Sequence, residues 1–143
     1  MVNAIKVQQE ILKSPSPIGG TLPDGKVYLS FDGVAAFVLM EEACKIDLKK
    51  IKQMDFIKYF SNIGSANAVL ATGTIKTIMM GKSKQLKCAE FQDGDGELVY
   101  IQEKYLKYFD KNTSFKCSGY YMFAVDQHDD VCGLICTIRN YKK

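Results

Sequence analysis

One histidine, an odd number of cysteines and no long apolar run set the first limits on this chain. His128 is the only histidine among 143 residues. A serine or cysteine nucleophile that needs an imidazole base would have to use it, and no spacing brings one there. No catalytic constellation is visible. No apolar run approaches the roughly 18 residues that a spanning helix needs. The start, Met1-Val2-Asn3-Ala4-Ile5-Lys6, lacks the apolar stretch of a secretion signal. The expectation is a soluble, cytoplasmic protein with no membrane partner. Net charge is only +3, from 19 basic and 16 acidic side chains. That excess does not demand an acidic partner, so the lysines are judged by where they fall.

The five cysteines are Cys44, Cys88, Cys117, Cys132 and Cys136. An odd count without a secretion signal favours reduced, buried thiols. Cys132 and Cys136 resemble a metal pair only until geometry is considered. They fall in a strand-like run, where four residues span roughly 13 Å. Both sulfurs of a zinc site must lie about 2.3 Å from the metal. No metal or cofactor is expected.

What is present is an ordinary globular composition, 47% hydrophobic and 24% charged. The length suits one compact domain, 1–143. The most informative pattern is a near-repeat. Phe56-Ile57-Lys58-Tyr59-Phe60 returns as Tyr105-Leu106-Lys107-Tyr108-Phe109. Each copy reads as a short amphipathic helix followed by three strand-like runs, a unit that needs a partner to bury its apolar face.

Around this pattern the chain divides as follows. Ile5–Lys13 predicts a helix with Val7, Ile11 and Leu12 on one face. Ser14–Gly20, with two prolines and two glycines, predicts a loop. Val27–Phe31 and Val34–Met40 predict a hairpin turning at Asp32-Gly33. Cys44–Ile51 alternates in part and predicts a strand. Asp55 caps the first repeated helix, whose apolar face is Phe56, Tyr59, Phe60 and Ile63, and Gly64 ends it. Strands are expected at Ala66–Ala71, Thr74–Met80, Gln85–Phe91 and Glu97–Ile101, then a helix at Gln102–Phe109. Further strands are expected at Thr113–Cys117, Tyr121–Asp126 and Val131–Arg139. The fold class is α+β with mainly antiparallel sheets, because the connections are too short for parallel crossovers. Residues 44–143 form two β-α-β-β-β units with both helices on one sheet face, and 1–43 add a helix and a hairpin.

This order resembles one domain of the DNA sliding clamp, the ring-shaped processivity factor of replicative polymerases. Tyr105-Leu106 followed by Tyr108-Phe109 is similar to the tyrosine-leucine helix of bacterial clamp domains. Gly133-Leu134-Ile135-Cys136-Thr137-Ile138-Arg139 is similar to their closing strand, although those clamps typically carry Met-Pro near Cys136-Thr137. The resemblance covers roughly the last 100 residues. It implies a DNA-clamp-like fold, a non-enzymatic role in DNA replication, and helices that face DNA. A phage or prophage replication module is one implied setting.

Lys104, Lys107 and Lys111 recur at spacings of three and four. On an α-helix they fall within roughly 60° of one another, opposite Tyr105, Leu106 and Phe109. A basic stripe backed by an apolar one suits a helix that packs on a sheet and meets phosphates. Lys58 corresponds to Lys107 in the first copy, and Lys6 and Lys13 lie on the N-terminal helix. These six are the candidate nucleic-acid contacts, for sequence-independent binding. A solvated face is the structural alternative.

The Gly20–Val27 segment nearly spells a phosphate-binding loop but lacks the hydroxyl after its lysine. Asp93-Gly94-Asp95-Gly96 predicts a turn. The competing class is a metal-dependent or small-molecule enzyme using His128 with Asp129 and Asp130. A protein-binding module without DNA contact, acting on replication or host proteins, is a third. The Val27–Met40 hairpin and the Val131–Arg139 strand are apolar enough to pair or to be covered. If the hairpin covers an edge, the chain is a monomer or dimer, and that is favoured over a ring.

Overall fold

The computed structural model describes residues 2–53 and 57–138, and the side chains of Ile57 and Asn62 are left aside. The fold is α+β, built on one antiparallel sheet of nine strands. Helix α1 (Ala4–Lys13) leads into β1 (Ile18–Thr21), β2 (Val27–Ser30) and β3 (Ala35–Leu39). A short α2 (Ile57–Phe60) precedes β4 (Asn67–Met80), β5 (Lys84–Asp93) and β6 (Leu98–Gln102). A 3-10 helix, Glu103–Tyr108, here the tyrosine helix, precedes β7 (Ser114–Ser118), β8 (Tyr121–Val125) and β9 (Val131–Cys136). Each helical segment thus introduces a three-stranded meander. The meanders join in the order β1-β2-β3-β9-β8-β7-β4-β5-β6.

The two faces of this sheet bury different elements. Leu29, Phe37, Met122 and Ala124 face α1 and the tyrosine helix, whose Val7, Ile11, Tyr105 and Tyr108 complete the larger core. Tyr28 and Ala36 point the other way and meet Tyr59 and Phe60. The expectation that both repeated helices share one face is therefore corrected. Strand alternation explains it, since Tyr28 and Leu29 must project to opposite sides. The pair that does share a face is α1 with the tyrosine helix.

Aromatic rings dominate the larger core. Phe37 packs edge-on to Tyr108 at 5.0 Å and lies 5.5 Å from Phe109. Such pairs add about 0.5–1.5 kcal/mol beyond their buried area. Phe109 fits because Gly133, opposite Phe37 and Ala124 in the ladder, has no side chain. A Cβ there would lie 2.6 Å from Phe109 Cζ.

Several expected elements take another form. Cys44–Ile51 is not a strand; it follows one 3-10 turn, Glu41–Ala43, and contains another, Leu48–Lys50. Gln8 of α1 donates to the Ala43 carbonyl at 3.0 Å and accepts from the Lys45 amide at 2.6 Å, so groups that a ladder would use are already bonded. The loop expected over Ser14–Gly20 contains the start of β1. Gly19 and Gly20 leave room for Ile51 and the Tyr28 side chain, whose Cδ1 and hydroxyl a Cβ would meet at 2.6 and 2.5 Å respectively. The two strands expected at Ala66–Ala71 and Thr74–Met80 are one, β4, bulged between Ala71 and Ile75.

Both repeated helices are also shorter or tighter than expected. The first is four α-helical residues followed by a 3-10 segment, Ser61–Ser65; its expected cap Asp55 and first apolar residue Phe56 lie outside the described residues. The last strand stops at Cys136, where the chain turns away so that the Ile138 amide reaches the Tyr100 carbonyl at 2.8 Å. Arg139, its expected end, lies outside the described residues. Leu12 is not on the buried face of α1; it is 77% exposed.

Among the described residues no helix is long and apolar enough to cross a membrane. The N-terminal hairpin covers the free side of β9, with Ala36 opposite Leu134.

Candidate nucleic-acid interface

The tyrosine helix is positioned from both ends. Its Tyr105 hydroxyl donates to Asp32 Oδ2 at 2.5 Å, across the β2–β3 turn. Burial, and then that bond, hold the Tyr105 hydroxyl well above the ordinary tyrosine range. At the other end the Asn3 amide donates to the Tyr108 carbonyl at 2.7 Å, and Val2 bridges to Phe109. Asn3 also caps α1 through a 3.1 Å bond from the Lys6 amide. One residue pair therefore docks α1 against the tyrosine helix.

This arrangement exposes four of the six candidate lysines on one side of the sheet. Lys6 and Lys13 stand on α1, and Lys104 and Lys107 on the tyrosine helix. In a 3-10 helix, residues three apart eclipse, so Lys104 and Lys107 line up more closely than an α-helix would place them. Each ammonium sits over the ring that follows it, Lys104 at 5.2 Å from Tyr105 and Lys107 at 5.3 Å from Tyr108. Carboxylates oppose two of them: Lys104 is 4.0 Å from Asp32, and Lys13 is 3.8 Å from Glu10.

The other two candidates stand elsewhere. Lys111 is not part of the helical stripe. Phe109 is already extended, and Lys111 lies in the turn after Asp110, beside a cavity lined by Leu106 and Phe115. Lys58 belongs to α2, on the opposite face, with its ammonium 5.1 Å from the Tyr59 ring.

Sequence spacing missed a second basic element. The hairpin of β4 and β5 carries Lys76, Lys82, Lys84 and Lys87, all exposed. The available signal was an absence of acid. From Phe56 to Ala89 there are five lysines and no carboxylate, a charge of +5. The remaining 14 basic and 16 acidic residues carry −2.

The histidine site is built differently. His128 lies in the turn between β8 and β9, beside a cavity of about 400 Å³ lined also by Lys26, Asp126, Asp130 and Cys132. Asp126 accepts the His128 and Asp130 amides at 2.9 and 3.0 Å. Asp130 lies 4.0 Å from Lys26, and Asp129 lies 3.7 Å from Lys116. The carboxylates thus hold their own turn and nearby lysines, and no metal-holding group of three ligands occurs among the described residues. Cys132 is in the core, where burial pushes its thiol up to about 11.

No family model matches the chain, and no curated protein or solved structure matches it.

Proposed function

We propose that the protein is a non-enzymatic DNA-binding accessory, a clamp-derived interaction module that meets duplex through lysine–phosphate contacts. DNA replication, in a phage or prophage setting, is the process this reading assigns it to. One observation carries it: the exposed lysines of α1 and the tyrosine helix share a sheet face. That is the kind of face a clamp-like domain would turn toward DNA. Lysine contacts to phosphate bind without base readout, so the affinity is sequence-independent and falls with salt. With the edge of β9 covered within the chain, this reading takes a monomer or dimer as the working form, one that does not encircle its duplex.

The test is binding of the full-length protein to a short labelled duplex between about 50 and 200 mM salt. We expect weak binding that steepens at low salt and is indifferent to sequence. A Lys104→Gln/Lys107→Gln variant loses affinity while keeping its melting temperature. Unchanged affinity in that folded variant removes the tyrosine helix from the interface. His128→Ala leaves binding unaltered; stoichiometric metal in the wild type, lost in this variant, would support the enzyme reading instead.

A further inference from the structure

We propose that the β4–β5 hairpin is a basic arm that enters the major groove of duplex DNA. This rests on the DNA-binding reading above and specifies how the duplex is held.

The arm outruns the sheet. On its β7 side, β4 is paired only at Asn67–Val69, and β5 meets β6 only from Cys88 onward. Between these limits Thr77–Met80 pair solely with Lys84–Lys87. The result is a two-stranded ribbon ending in the turn Gly81-Lys82-Ser83. A bulge at its root, with Gly73 at φ +86°, re-aims it, since bulges bend and twist the strand that carries them.

Charge then selects the partner. Lys82 and Lys84 at the tip have no carboxylate partner among the described residues. Nearer the root, Lys76 lies over the Tyr100 ring at 5.4 Å, and Lys87 is 3.2 Å from Glu103. That last pair joins the arm to the first residue of the tyrosine helix, so the two basic elements adjoin. Ile75 and Met79 are 45% and 48% exposed on one side of the ribbon. The other side packs back on the body, Ile78 being buried with Tyr100 and Ile138 and flanked by partly buried Met80 and Leu86; the exposed side and the lysine-bearing tip fit a channel with anionic walls.

Dimensions favour B-form DNA. Paired strands lie about 4.8 Å apart, and a B-form major groove about 12 Å wide admits such a ribbon with its side chains. The major groove of A-form RNA is too narrow for it. The distal arm has no arginine or asparagine; Gln85 could pair with adenine, and its lysines could reach guanine O6 and N7. The arm positions mainly through lysine–phosphate contacts, which carry no sequence information.

The experiment measures anisotropy of labelled DNA and RNA duplexes of one sequence with the full-length protein. Variants are Lys82→Glu/Lys84→Glu and the milder Lys82→Gln/Lys84→Gln, each checked for an unchanged melting temperature. We expect the charge reversal to weaken DNA binding about tenfold at low salt and to flatten the log–log salt slope by about 2. The RNA duplex should bind more weakly and respond less. A folded charge-reversal variant within twofold of wild type overturns the arm and leaves the proposed function standing. An RNA duplex bound as tightly as DNA overturns groove entry. A wild type that binds neither duplex overturns both proposals.

Discussion

Gly133 shows how a single residue controls this fold. It sits mid-strand in β9, where glycine ordinarily weakens a strand. Here it admits the Phe109 ring, which is held in turn by Phe37 and Phe115 at 5.5 and 6.1 Å. The ring cannot swing aside without losing those contacts. Gly133→Ala should therefore destabilise by about 1–3 kcal/mol, the usual cost of overpacking. Urea unfolding checks it; an unchanged midpoint would mean that the ring moves freely. Phe109 and Gly133 were both legible as members of apolar runs, but nothing local tied one to the other across 23 intervening positions.

At the scale of elements, Glu90 ties the root of the arm together. Its carboxylate accepts from the Tyr100 hydroxyl on β6 and from the Thr72 hydroxyl at the bulge, each at 2.8 Å. Those bonds, Tyr100's first, hold it below the ordinary carboxylate range. A depressed folded-state value stabilises above the unfolded value, and that contribution is lost as pH falls through the folded one. Thermal melts of wild type and Glu90→Gln should thus differ near neutral pH and converge below the usual glutamate range of about 4.3. A gap that persists in acid would mean that Glu90 acts by packing alone. The same scale explains why the helices were misjudged. Apolar spacing of three and four suits both helix types, so it did not distinguish the 3-10 form of Glu103–Tyr108, whose Tyr105 and Tyr108 bond to Asp32 and Asn3.

For the whole molecule, the decisive event is the closure of β3 onto β9. The hairpin had two possible uses, pairing between chains or covering an edge within one. Within this chain it covers the edge, with Ala35, Ala36 and Phe37 laddered to Ile135, Leu134 and Gly133. Light scattering should accordingly give the mass of a monomer or dimer. A ring-sized oligomer would show that β1 or β6, the terminal strands of the sheet, pair between chains.

By itself the sequence determined the α+β class, most strands, the hairpin turns and the inward face of Tyr105. Those follow from local alternation, glycine chemistry and the period of apolar residues, which act within a few positions. The tertiary structure alone decided which face each helix covers, because the side of a strand has meaning only once its neighbours are placed. It merged two expected strands into the long β4 and left the end of β4 paired with β5 alone, creating the arm. It also withdrew Lys111 from the stripe that spacing suggested and put Lys58 on the opposite face. Lysine spacing reports an angle about one helix axis. Whether two lysines meet the same phosphate backbone depends on the sheet between them.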